Sequence, residues 1–255
     1  MADIRVEDRD HDSLWIILTR PDRRNAYDED MAGAITEAVE SATSVRSVVI
    51  TGEGGSFCAG GSLQQLSTPT LPQMRRLYRA SLRMFDAIRA CPRPVIAAVS
   101  GPAAGGGNEL VVACDFAIAG RSATFGQTGP RVGSSPVTGA TNAMIIQLGE
   151  KRAKEVAMLC RRYSAEQALT MGLVNEVVDD DLVEQAALQW CGEIARLSPR
   201  YLEITKVSSN TWWNTARDSF MGGLGMLVQA VGSADMVEGA RAFLEKRAPR
   251  FPPPE

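Results

Sequence analysis

Proton transfer has few places to occur in this chain. Its one histidine, His11, lies in an acidic N-terminal stretch. A Ser-His-Asp or Cys-His mechanism would have to use that residue, and a histidine-rich metal site is excluded. Acid–base chemistry therefore falls to carboxylates, lysine, tyrosine, cysteine or backbone groups. Two glycine-rich turns supply backbone groups: Phe57-Cys58-Ala59-Gly60-Gly61-Ser62, and the run from Ser100 through Gly105-Gly106-Gly107 to Asn108-Glu109. The second follows an apolar run and opens a helix. N–H groups at a helix start lack internal partners and carry partial positive charge, and glycine lets another molecule approach the backbone closely. Such a place holds an anion or a developing oxyanion. The bland alternative is a tight turn that merely packs a strand against a helix. Glu109 reads either as a carboxylate favoured by the helix dipole or as a general base beside an oxyanion site. Neither turn matches a nucleotide fingerprint, since GxxxxGK[ST] and a GxGxxG with its distant acid are both missing.

The elements that must position these turns belong to an ordinary globular chain. Its 255 residues make one large domain or two small ones, and 45% hydrophobic with 22% charged residues excludes disorder, collagen and coiled coil. A net charge of -3 gives no positive field for nucleic acid or anionic lipid. The longest nearly apolar run, PVIAAVS, is too short to cross a bilayer. The N-terminus lacks the basic-then-apolar order of a signal peptide, so a cytoplasmic protein is expected. Cys58, Cys91, Cys114, Cys160 and Cys191 are odd in number with no CxxC. That argues against a disulfide framework or zinc site, and for small buried hydrophobes.

Periodicity predicts strands at 14–19, 45–51, 94–100 and 115–119, and helices at 28–42, 74–90 and 108–114. Residues 101–107 read as a turn. Strands alternating with helices predict an α/β layered domain, and glycine turns at regular intervals allow a spiral of short βαβ turns. From Lys151 the texture is helical: 151–159, 164–171 and 182–197, with caps at Ser164 and Asp181, then 199–227 and 235–246. The final 90 residues read as a helical subdomain. The Trp212-Trp213 pair, with Phe220, Met221, Met226 and Leu227, reads as subunit or substrate-roof packing.

The stretch PVIAAVSGPAAGGGNELVVACDFAIAGRSATFGQTGPRVG resembles the signature region of the crotonase (enoyl-CoA hydratase/isomerase) superfamily. LTRPDRRNAYD, FCAGGSLQQL, SAEQALTMGLVNEVV and EGARAFLEKRAPRF fit as well, so the resemblance spans almost the whole chain. It implies a crotonase-like spiral of ββα units over 1–195 and a C-terminal helical trimerisation region over 196–255, as a homotrimer or dimer of trimers. It implies an acyl thioester of coenzyme A as substrate, with no metal or redox cofactor, no nucleic acid and no membrane. The N–H groups of Ala59 and Gly106 would hold the thioester oxygen, and Glu109 would be the base. Coenzyme A would pass Asn25, Ala26, Ala59 and Leu63. Lys246 or Arg247 would reach its phosphates, or else form a solvated helix end.

Departures from the family pattern bear on the reaction. Hydratases carry a second acid two positions after Phe125-Gly126-Gln127, where this chain has Gly129, and Ser62 replaces the usual aspartate of the first turn. The segment from Gln127 to Ser134 instead resembles two carbon–carbon bond branches, dihydroxynaphthoyl-CoA synthase and the ring-opening β-keto acyl-CoA hydrolases. In the synthases a glycine at this place makes room for a bicarbonate base, which Gln127, Thr128 and Gly129 could hold. Pro136 stands where that branch has an aspartate, and Glu109 where the synthases have a small residue. Gln127, Ser134, Ser135, Thr138 and Tyr163 are candidate second players, each with a turn or packing role as its alternative. The resemblance thus implies an enoyl-CoA hydratase/isomerase-like enzyme first. A carbon–carbon bond forming or cleaving enzyme comes second, and a non-catalytic or RNA-binding homologue last.

Overall fold

The computed structural model describes residues 3–62, 67, 70–137 and 140–251. Six strands lie side by side in the order β1 (Ile4–Arg9), β2 (Ser13–Leu18), β3 (Ser47–Gly52), β4 (Val95–Val99), β6 (Phe116–Gly120) and β9 (Glu176–Val178). A second sheet contains β5 (Pro102–Ala104), β7 (Thr124–Gly126) and β8 (Tyr163–Ser164). The β1–β2 pair is antiparallel, and the rest of the large sheet is parallel. The described helices are α1 (Glu29–Ser41), α2 (Leu71–Ala90), α3 (Gly106–Ala113), α4 (Ala140–Leu148), α5 (Glu150–Leu159), α6 (Ala165–Met171), α7 (Val183–Ala195), α8 (Pro199–Ser209), α9 (Thr211–Gln229) and α10 (Ala234–Leu244).

The chain visits the two sheets in turn. β4 lies in the large sheet and β5 in the small one, α3 returns the chain, and β6 and β7 repeat the step. The preceding turn follows β3 with an isolated parallel bridge between Cys58 and Ala103. This is a ββα spiral of the crotonase kind. The parallel strands are buried on both faces, which is why they read as apolar runs without alternation. Leu14, Ile16, Leu18, Val48, Ile50, Ala97 and Val99 pack on one side with Met31, Ile35, Phe85 and Leu110. Their neighbours Trp15, Ile17, Val49, Ile96, Ala98 and Ile118 pack on the other with Val183, Ala187, Cys191 and Ile194 of α7. All five cysteines are free and buried.

The C-terminal helices share the first of these cores through Trp213, Leu224, Leu227, Met236 and Ala240. A polar clamp fixes α8. Lys206 is buried, with its Nζ 2.6 Å from Asp115 Oδ2 and donating to the carbonyls of Ile88 and Arg93 at 3.0 and 2.9 Å. Asn210 Nδ2 donates to Arg89 O at 2.8 Å.

The expected elements differ from the observed ones in several places, and β1, β7, β8 and β9 were not anticipated. The helix expected over 199–227 is two helices meeting at Asn210, whose buried side chain is held by the Arg89 carbonyl. Asp181 does not cap α7, which has no side-chain cap and starts from a short 3-10 turn over Asp180–Leu182. Asp180 Oδ1 instead accepts the Ser122 N–H at 2.9 Å. Ser164 does cap α6, as a reciprocal capping box with Gln167. The turn expected at 101–107 contains β5, and α4 was not anticipated.

Candidate active site

The two glycine-rich turns are pressed together. Cys58 N–H donates to Pro102 O at 3.2 Å, and Ala104 N–H donates to Cys58 O at 3.0 Å. A Cβ on Gly60, whose φ is +89°, would stand 2.6 Å from the Gly106 nitrogen, and one on Gly107 would collide with the Cys58 carbonyl. Glycine is required at these places because backbone meets backbone there. The second turn then opens α3 with Gly105 at the N-cap and no side-chain cap. The N–H groups of Gly106 and Gly107 donate to nothing among the described residues, as expected of an uncapped helix start.

Glu109 follows in the first turn of α3, 5% exposed. It lines a cavity of about 80 Å³ together with Ala59, Gly105, Gly106, Gln127, Thr128, Gly129, Ser134 and Ser135. The structure thus brings together most of the residues expected at the site, and Glu109 is the one carboxylate among the described residues lining it. Gln127 is 1% exposed, and neither its Oε1 nor its Nε2 has a hydrogen-bond partner among the described residues. At Gly129, a Cβ would come within 2.9 Å of the Ser134 carbonyl and 3.0 Å of Pro136 Cδ. The segment Ser134–Pro136 therefore fills the place a second acid would need.

Two of the expected residues are already engaged within the protein. The Ala59 N–H, one of the two expected oxyanion donors, already donates to the Arg24 carbonyl at 2.9 Å. Arg24 adopts a left-handed conformation (φ +51°) that turns this carbonyl toward the first glycine turn. Asn25, expected along the coenzyme A path, is fully buried. Its Oδ1 accepts the Arg20 N–H at 2.9 Å, and its Nδ2 donates to Glu53 O at 2.9 Å and Ser56 O at 2.7 Å. Its own carbonyl accepts the Cys58 thiol at 3.1 Å. Asn25 therefore shapes the turn. Asn25→Ala is expected to cost about 2–3 kcal/mol in urea unfolding, because it orphans buried backbone groups. A loss below about 0.5 kcal/mol would assign those bonds to water instead.

Several lining residues were not anticipated: Tyr27, Leu77, Tyr78 and Ser81; Leu227, read as subunit or substrate-roof packing, also lines the cavity. Leu77, Tyr78 and Ser81 share the buried face of α2. Hydroxyls on an otherwise apolar stripe were the available signal. Tyr27 sits so that a Cβ on Gly106 would collide with its hydroxyl. Burial, and then the Glu109 charge, hold its phenol far above the usual tyrosine range. Burial also pushes the Cys58 thiol up to about 12, so it is no nucleophile at neutral pH. A second cavity, about 600 Å³ and mainly apolar, adjoins the first through Ser134, Ser135 and Leu227.

A family model described as enoyl-CoA hydratase/isomerase matches residues 11–253. The chain belongs to the enoyl-CoA hydratase/isomerase family. Among solved structures it is similar to an enoyl-CoA hydratase from Mycobacterium avium subsp. paratuberculosis K-10, with 29% identity over 99% of this chain and 100% of that one and a TM-score of 0.87. An enoyl-CoA hydratase/isomerase from Xanthobacter autotrophicus Py2 has 31% identity over 99% of both chains, also with a TM-score of 0.87. An enoyl-CoA hydratase from Bacillus anthracis has 30% identity over 98% of both and a TM-score of 0.79.

In this member of the enoyl-CoA hydratase/isomerase family, some expected contacts stand apart from the cavity. Tyr163 pairs with Phe125 across β7 and β8, and its hydroxyl donates to Glu155 at 3.1 Å, a packing role. Arg247 is held by Glu238 at 2.6 and 2.9 Å and by Glu245 at 2.6 Å, so its charge is already matched. Lys246 is exposed and pairs with no carboxylate among the described residues. Ala26 is half-buried next to the first turn, while Leu63 and Thr138 lie outside the described residues. No helix among the described residues is long and apolar enough to cross a membrane.

Proposed function

We propose that the chain processes acyl thioesters of coenzyme A, with enoyl-CoA hydration or isomerisation as the leading reaction. The observation carrying this reading is a buried carboxylate, Glu109, in one cavity with the uncapped N-terminus of α3. In this reading the Gly106 N–H donates to the thioester oxygen as it gains negative charge. The Ala59 N–H joins it by sharing its bond to the Arg24 carbonyl. Glu109 removes an α-proton or activates water, and single-base chemistry fits a cavity with one carboxylate. Pantetheine runs past Ala26 and Leu63, with Lys246 as the phosphate contact. The reading needs no metal or redox cofactor.

A second reading is making or breaking a carbon–carbon bond in a β-keto or cyclic acyl-CoA. It is favoured by the unpartnered Gln127 amide. Here Gln127, Thr128 and Gly129 hold a bicarbonate as base, or Ser135 and Thr138 hold the substrate. Assembly into a homotrimer or a dimer of trimers is supported by exposed Ile204, Val207, Trp212, Met226, Phe243 and Leu244 on α8, α9 and α10.

The test is crotonyl-CoA hydration, followed as loss of the conjugated thioester absorbance, with displacement binding of the same thioester in parallel. Hydration supports the leading reading. Binding with neither hydration nor double-bond isomerisation removes it in favour of the second, to be assayed with cyclic β-keto thioesters with and without bicarbonate. Absence of binding overturns the coenzyme A assignment.

A further inference from the structure

We infer that the Tyr27 hydroxyl donates to the thioester oxygen beside the Gly106 N–H, which adds a side chain to an oxyanion site otherwise built from backbone. The inference rests on the coenzyme A reading above. It holds for either reaction proposed there, since both put charge on that oxygen. The backbone of Tyr27 is fastened to the first glycine turn: its N–H donates to Gly60 O and its carbonyl accepts the Ser62 N–H, both at 2.9 Å. Its ring then bridges the two turns. A Cβ on Gly61 would stand 4.0 Å from Cε2, and one on Gly106 would stand 3.0 Å from Cζ and collide with the hydroxyl. The missing side chain at Gly106 thus makes room for the phenol. Tyr27 is 3% exposed, and it lines the same cavity as Gly106 and Glu109.

The hydroxyl has a modest acceptor in the resting protein and a better one in the reaction. Its hydrogen-bond neighbour is Ser81. The Ser81 hydrogen goes to the Leu77 carbonyl at 2.8 Å, so the Ser81 oxygen is left to accept. Burial and the Glu109 charge keep the phenol protonated at neutral pH, and so a donor. A thioester oxygen gaining negative charge outcompetes a neutral hydroxyl, because hydrogen bonds to an ionised acceptor are roughly twice as strong. The proton stays on the phenol throughout. An interaction stronger in the transition state than in the ground state raises turnover without tightening substrate binding.

Tyr27→Phe removes one oxygen and keeps the ring. Turnover of the processed thioester should fall by about 10²-fold, the low end of what an oxyanion donor is worth, with affinity changed by less than about threefold. A packing role for the hydroxyl would leave the bound carbonyl unmoved, and infrared difference spectroscopy reads that carbonyl directly. The sample is the intact Glu109→Gln protein with crotonyl-CoA isotope-labelled at its thioester carbonyl. Adding Tyr27→Phe should raise the carbonyl stretching frequency. If the phenylalanine variant fails to fold, 3-fluorotyrosine placed at position 27 carries the test. It keeps the shape, donates more strongly, and should lower the frequency. An unmoved stretch, or wild-type turnover in Tyr27→Phe, overturns the inference while leaving the coenzyme A reading intact. Failure of crotonyl-CoA to bind the wild-type protein overturns that reading and this inference with it.

Discussion

Glu109→Gln is expected to lower turnover of the processed thioester by about 10²–10⁴-fold, the usual worth of a positioned acid–base group. The substitution keeps the size of the side chain and its place in the first turn of α3, but an amide cannot take up a proton. Thioester affinity should change little, because in the proposed arrangement backbone N–H groups, and not the Glu109 side chain, hold the thioester oxygen. No other carboxylate among the described residues lines the cavity to take over. The check is kcat under saturating substrate alongside displacement binding. A variant with wild-type kcat removes Glu109 from the mechanism. One that raises only KM makes it a binding contact.

Lys206→Met is expected to cost about 3–5 kcal/mol of stability, because it strands a buried charge. Lys206 Nζ satisfies the Asp115 carboxylate and two carbonyls, from the end of α2 and the loop before β4. Asp115 also accepts the Val95 N–H at 2.8 Å, so it cannot swing out to water without breaking into the sheet. Methionine fills the space of the lysine stem and repairs none of these contacts. Urea unfolding measures the loss. Adding Asp115→Asn should recover part of it by removing the stranded charge. A loss below about 1 kcal/mol would mean that the pair behaves like a solvent-exposed one.

Much of the scaffold was legible because its signals are local. Asp28 accepts the Met31 N–H to start α1, and Ser164 with Gln167 starts α6. β2, β3 and β4 stand out as apolar runs closed by Pro or Gly turns. β7 and β8 have three and two residues, so only pairing with other parts of the chain defines them. At the site, Gly106 and Glu109 were legible as a glycine turn opening a helix after a strand, whereas Gln127, Thr128 and Gly129 stood out only through the family resemblance. Tyr27 and Tyr78 were hidden among core positions, where a hydroxyl is easily read as packing. The engagement of the Ala59 N–H was not legible, because it depends on a left-handed Arg24 that no residue type demands. Nor was the pairing of Arg247, which depends on Glu238 one helix earlier.

The close fit of Ser134–Pro136 against Gly129 also bears on how this chain can change. A single codon change can write an acid at position 129, but the backbone beside it leaves no room for even the first carbon of that side chain. The loop would have to give way first. A second carboxylate at this position therefore requires substitutions in the Ser134–Pro136 loop as well as at Gly129.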